Sequence, residues 1–217
     1  MTSNEPRQRR KYLTGEQRKK ELLDAALLEF SSAGYVAATI ERIALRAGLS
    51  KAGVYAHYKS KDEIFVELLN CLLTASFLPV KDWLFNDSVP FMSATRAFFD
   101  QLYAPLEDPK VLAMIRLLLL ESGRVPHLVQ RWREEVLEPF MEEQQAVINQ
   151  HADKGCMRAG ALTRHFFQLI VLAPLAMAAH WLLIFCADDA EASAAYLQGV
   201  KAKHYEVLEE LVRHIDA

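Results

Sequence analysis

Glycine and proline are scarce, at eight each in 217 residues. Too few turn residues remain for a fold of many short strands, and the composition leans helical. Cysteine is scarcer still. Cys71, Cys156 and Cys186 are odd in number and far apart, which suits buried or reduced thiols in a cytoplasmic protein better than a disulfide framework. No apolar segment follows the basic start "MTSNEPRQRRKYL", so a secretory leader is not expected. Catalytic signatures are missing too: there is no HExxH, CxxC, GxSxG or P-loop. The seven histidines are scattered; His127, His151, His165 and His180 lack metal spacing, and His204 and His214 lie ten apart. The chain is therefore expected to be no enzyme and to hold no metal or cofactor. Strand alternation and internal repeats are also absent.

What is present is an ordinary globular balance, 52% apolar and 24% charged, with an uneven charge distribution. Residues 1–61 carry 12 Lys/Arg against 6 Asp/Glu, a net of +6, whereas residues 62–217 carry 13 against 22, a net of −9. A basic N-terminal part facing a polyanion and an acidic body facing something else fit this asymmetry. One run points elsewhere. Leu169–Ala187, "LIVLAPLAMAAHWLLIFCA", has one polar side chain, His180, in 19 residues. As a helix it would be about 28 Å long, close to a bilayer core. Pro174, His180 and the following Asp188 and Asp189 favour instead a helix buried at a subunit interface. A membrane-associated helical protein and an enzyme are the remote alternatives.

Capping signals divide the chain into helices. Thr14 and Gln17 form a capping box for a helix over Glu16–Ala33, ended by Gly34, with Leu23, Ala26, Leu27 and Phe30 on one face. Thr39 caps a short helix through Ala47. Gly48 breaks it, and Ser50 caps another from Lys51 to about Tyr58. Ser60 and Glu63 form a second box and launch a long helix with Ile64, Leu68 and Cys71 on one stripe. Further helices are expected within "PFMSATRAFFDQLYA" and "PKVLAMIRLLLLESG". Three more follow: Pro126–Asp153, bent or interrupted at Pro139, then about Leu162–Ala187, and Asp189–His214. The fold class is all-α, about nine helices in total.

The segment "RIALRAGLSKAGVYAHYKSKDEIF" has the spacing of a helix-turn-helix. Ala44 is small where two helices cross, Gly48 takes the left-handed turn four residues on, and Val54 closes the small core. An ordinary helical hairpin has the same pattern; the basic bias favours DNA. The wider stretch "ELLDAALLEFSSAGYVAATIERIALRAGLSKAGVYAHYKSKDEIFVELL" resembles the N-terminal domain of the TetR family of transcriptional regulators. The motifs that carry the resemblance are A-x-x-x-F-x-x-x-G-Y, T-I-x-x-I-A, A-G-x-S-K and V-Y-x-H-Y-x-S-K. It implies residue roles. Thr39 would cap its helix and touch a phosphate. Ser50, Lys51, Ala52 and Gly53 would open the reading helix, Tyr55 and His57 would meet phosphates or base edges, and Lys61 would meet a phosphate at a helix N-terminus. Tyr58 would lie in the core. The order Ala52, Gly53 departs from the family pattern, because Gly53 has no side chain to read a base.

The resemblance also implies a basic disordered arm over 1–13, a helix-turn-helix DNA-binding domain over 14–60, and a ligand-binding and dimerisation domain over 61–217. Arg7, Arg9, Arg10 and Lys11 of the arm either enter a minor groove or only add sequence-independent attraction. The last two helices would build a homodimer matching a palindromic operator. Candidate pocket residues are Trp83, Phe99, Tyr103, Arg116, His127, Trp132, Phe167 and Gln168, with core packing the plainer reading for each aromatic. Arg116 either pairs with an acid such as Glu121 or faces an anionic ligand. The expected function is transcriptional repression, relieved by a small hydrophobic or amphipathic ligand. An activator, or a repressor that needs its ligand, has the same architecture.

Overall fold

The computed structural model describes residues 14–75, 91–153, 160, 164–165, 171–185 and 190–213. All regular structure among the described residues is helical, in nine continuous segments with no strand. They are α1 (Gly15–Ala37), α2 (Ile40–Arg46), α3 (Lys51–Tyr55) and α4 (Lys61–Leu69, continued by a π turn, Asn70–Thr74). Next come α5 (Phe91–Tyr103), a 3-10 turn (Ala104–Glu107) and α6 (Pro109–Glu121). Then α7 joins Pro126–Trp132, a π turn Arg133–Leu137 and Glu138–Asp153; α8 is Ala173–Phe185 and α9 is Ala190–Arg213.

Local chemistry sets most boundaries. The Thr14/Gln17 box is formed in both directions. Gly34 breaks the regular helix at φ 77, ψ 160, as expected of a residue without Cβ. Leu22, Ala26, Leu27 and Phe30 are buried from α1, and Phe65 packs edge to face on both Phe30 and Tyr35 at the α1–α4 junction. Apolar contacts continue without a break from this cluster through Leu69, Leu73 and Met114 to Trp132, Trp181 and Leu197. Helices α1 and α6 lie side by side in the same direction. Lys110 Nζ contacts Asp24 Oδ1 at 2.6 Å near one end. At the other, buried Glu121 places Oε1 3.1 Å from where a Cβ on Gly34 would stand.

Several expectations need correction. Helix α3 ends at Tyr55, not Tyr58; the N–H groups of His57 and Tyr58 both turn back to Val54 O, which buries the Tyr58 ring. Glu63 accepts from the Lys59 N–H, one residue before the Ser60 N–H that a full box would use. Cys71 is exposed. The π turn inserts an extra residue after Leu69, and the buried position falls on Leu73 instead. Glu121 pairs with Arg124 at 2.9 Å. Pro139 does not interrupt its helix: it lacks the N–H an α turn would donate, and the π turn immediately before Glu138 carries the helix on without a break. Pro174 sits in the first turn of α8, where that N–H is not needed. Helix α8 begins at Ala173, and the expected stretch from Leu162 to Arg164 and from Phe166 to Ile170 lies largely outside the described residues. Cys156, Cys186 and the basic arm also lie outside them. Among the described residues, no helix is long and apolar enough to cross a membrane.

Candidate nucleic-acid interface

Two caps and a left-handed turn build the corner of the N-terminal head. Thr39 accepts from the Arg42 N–H at 3.3 Å and starts α2. Gly48 turns the chain at φ 63, and the Leu49 N–H returns to Ala44 O at 2.9 Å. Ser50 Oγ accepts from the Gly53 N–H at 3.0 Å and starts α3. Ile40, Ile43, Ala44 and Val54 are buried beneath this corner, as the spacing requires. Opposite them, Lys51, Ala52, Tyr55 and His57 share an exposed surface, with Gly53 half-buried.

A Cβ added at Gly53 would meet Ser50 Oγ at 3.4 Å and Leu49 Cβ at 3.5 Å, ordinary contacts. The fold therefore does not need a glycine here. Gly53→Ala is expected to stabilise the head by about 0.5–1 kcal/mol, through helix propensity and a smaller unfolded ensemble. Denaturant unfolding checks this; a loss of stability would show hidden crowding at α3.

Charge in the head is more committed than the sequence balance suggests. Glu29 is fully buried, with Arg42 Nε 2.6 Å from Oε1 and Arg46 Nε 2.6 Å from Oε2. Arg46 also donates to Ser32 Oγ at 3.3 Å. These arginines brace α2 against α1. Lys51 is ion-paired with Glu41 and lies 5.9 Å from the Tyr55 ring centroid. Lys61 Nζ donates to Tyr35 O at 2.7 Å, Ala38 O at 2.9 Å and, more loosely, Val36 O at 3.4 Å. It also stands 4.3 Å from the Tyr35 ring centroid, while the Tyr35 hydroxyl donates to Asp62. Burial pushes the Lys61 ammonium below its ordinary pKa, partly countered by Asp62. All three of its donor directions are directed at the α1–α2 link, where the sequence suggested a free charge for phosphate. Neither the arginine brace nor this clamp could be read locally, since their partners lie 13 to 26 residues away.

The body candidates separate. Trp132 is buried and donates its Nε1–H to Thr74 Oγ1 at 3.2 Å, which makes it a core residue. His127 is exposed and Arg116 half-buried; Trp83, Phe167 and Gln168 lie outside the described residues. Phe99 and Tyr103 are buried on α5 against His204 of α9. The Tyr103 hydroxyl is 3.0 Å from His204 Nδ1, and burial lowers the His204 pKa. Tyr103 also lines a cavity of about 270 Å³ with Leu106, Pro109, Leu112 and Leu197, bounded on its polar side by Glu107 and Gln198. Among the described candidates, only Tyr103 touches it. The leucines carried no sequence signal that separates lining from core. Among the described residues, no group of three or more His, Cys, Asp or Glu is placed to hold a metal ion.

Two capped helices about a left-handed glycine, with a polar outer face on the second, define a helix-turn-helix, the motif whose second helix enters a DNA major groove. Residues 22–68 match the profile of bacterial regulatory proteins, tetR family. The chain is 27% identical over 144 residues to the uncharacterised HTH-type transcriptional regulator YhgD of Bacillus subtilis (strain 168), a match spanning 64% of this chain and 73% of that protein. Two solved structures share the fold. A TetR family transcriptional regulator from Pseudomonas syringae pv. tomato DC3000 matches with a TM-score of 0.62 at 22% identity, over 88% of this chain and 96% of that one. Bacillus subtilis FadR in complex with stearoyl-CoA matches with a TM-score of 0.58 at 16% identity, over 82% and 95%. Over residues 22–68 the chain carries the N-terminal domain of the bacterial regulatory proteins, tetR family.

Proposed function

We propose that the protein is a cytoplasmic, dimeric repressor whose head, residues 14–60, reads a palindromic DNA operator, and whose body, residues 61–217, senses a small apolar or amphipathic ligand. The observation that carries this reading is the exposed face of α3, where Lys51, Ala52, Tyr55 and His57 stand on a corner fixed by Thr39, Gly48 and Ser50. A cation at the start of a short helix, a phenol at its end and an imidazole just beyond suit phosphates and base edges.

Support for a twin comes from the last two helices. Ala176, His180 and Leu183 form an exposed stripe on α8, with Leu183 59% exposed. Val207 of α9 is 57% exposed. Apolar side chains in that state favour cover by a second copy. Support for a sensor comes from the cavity at Tyr103, which is apolar apart from Glu107 and Gln198 and suits a small or partly inserted ligand. A long-chain acyl thioester is the named ligand of one structural relative, and an acyl chain is the first ligand class to try here. A ligand that binds better to the state with separated heads shifts the population off DNA, typically by about 1–3 kcal/mol of coupling.

Selection of bound duplexes from a random pool tests the reading. A palindrome occupied by two chains is expected, and Leu183→Asp should yield monomers in sedimentation with affinity for that palindrome lowered about 100-fold or more, each subunit then contributing only its half-site. A pool with no enriched sequence would overturn the operator, and a monomeric unmodified protein would overturn the dimer.

A further inference from the structure

Lys51 opens the reading helix, and it is already engaged. Its ammonium is ion-paired with Glu41 of α2, and both side chains are more than half exposed. Glu41 lies in the first turn of α2, two residues after Thr39, on the rim of the motif. The other acids of this corner have structural partners: Glu29 lies buried under two arginines, and Glu63 accepts from a backbone N–H. Glu41 braces nothing in the core. A carboxylate in a first helical turn favours the helix, but on a surface that approaches phosphates it repels them. The hydrogen bond from Lys51 holds the Glu41 carboxyl below its ordinary pKa, and Glu41 holds the Lys51 ammonium above its own. The pair stays fully charged at neutral pH.

We propose that Glu41 is a specificity-determining residue that acts by competition, holding Lys51 on random DNA and yielding it only where a matched site offers a phosphate or guanine edge in register. This rests on the reading of α2 and α3 as the DNA-binding corner. An exposed ion pair is weak and screened by salt, so a well-placed contact overcomes it. A misregistered phosphate does not, and the uncovered carboxylate then opposes the complex. Glu41 thus subtracts more from non-specific than from specific binding, which widens the ratio between them.

The test is Glu41→Gln in the full chain, which keeps shape and removes charge. Two duplexes of equal length are titrated, the selected palindrome and a random sequence. Affinity for the random duplex should rise about three- to tenfold at low salt. Its log–log salt dependence should steepen by about 0.9 per subunit as Lys51 gains a phosphate. The palindrome should gain less, so that the specificity ratio falls. In a Lys51→Met background the gain on random DNA should shrink to well under half. Unchanged or weaker random binding, an equal gain on both duplexes, or a gain that survives without Lys51 would overturn the proposal. Weaker binding of the palindrome alone would mean that Glu41 reads a base, and would overturn it too. If the unmodified protein shows no preference for any sequence, the operator reading fails and specificity fails with it, while the random-duplex arm still decides whether Glu41 competes for Lys51.

Discussion

Lys61→Met is expected to lower the stability of the protein by about 2–3 kcal/mol, because the three carbonyls of the α1–α2 link lose a charged donor at once. At this chain length that corresponds to a fall in thermal midpoint of about 5–10 °C. The Tyr35 ring would also lose its cation, and the Tyr35–Asp62 hydrogen bond would be left to hold the junction without it. Reading Lys61 as a free charge at the helix N-terminus leads to the opposite outcome. In that case the midpoint would hold, every duplex would bind more weakly, and the log–log salt slope would become shallower by about one. Thermal unfolding, together with salt titrations on the folded fraction, separates the two. A lowered midpoint with an unchanged slope supports the clamp; an unchanged midpoint with a shallower slope contradicts it.

The double substitution Arg42→Met, Arg46→Met should be more damaging, at about 3–5 kcal/mol. Glu29 is fully buried, and both of its oxygens lean on these guanidinium groups. Removing both cations leaves a carboxylate in the α1–α2 interface with no compensating charge. Adding Glu29→Leu to the pair should restore most of the loss, because an apolar side chain of similar length fits an apolar site. Denaturant midpoints of the double and triple variants check this. A double variant as stable as the parent, or a triple variant no better than the double, would show that the brace contributes little.

These two predictions mark where the sequence is legible and where it is not. Thr14, Thr39, Ser50 and Ser60 cap helices through groups three residues away, so their roles show in a short window. Gly48 is legible for the same reason: a tight turn between two capped segments needs the left-handed region. The clamp and the brace depend on residues brought together only by folding. Arg42 and Arg46 add to a basic count along the chain, yet in space they neutralise Glu29. Cys71 belongs to the apolar stripe of a regular helix, and one extra residue in a π turn takes it to the surface. Tyr103, Leu112 and Leu197 become cavity walls only when α5, α6 and α9 converge. Periodicity marks such side chains as apolar and cannot say whether a neighbour fills the space beside them.

Regulation of a specific operator requires above all that α3 be a surface that reads DNA sequence. The most direct measurement is the affinity of the protein for the selected palindrome and for a scrambled duplex of the same length, at several salt concentrations, with Tyr55→Ala beside the parent. A preference of about 10³-fold or more is predicted for the parent at near-physiological salt, with strong salt dependence on both duplexes. Tyr55→Ala should erode the preference while leaving scrambled binding nearly intact. Equal affinity for the two duplexes, or a preference untouched by Tyr55→Ala and by Lys51→Met alike, would contradict it.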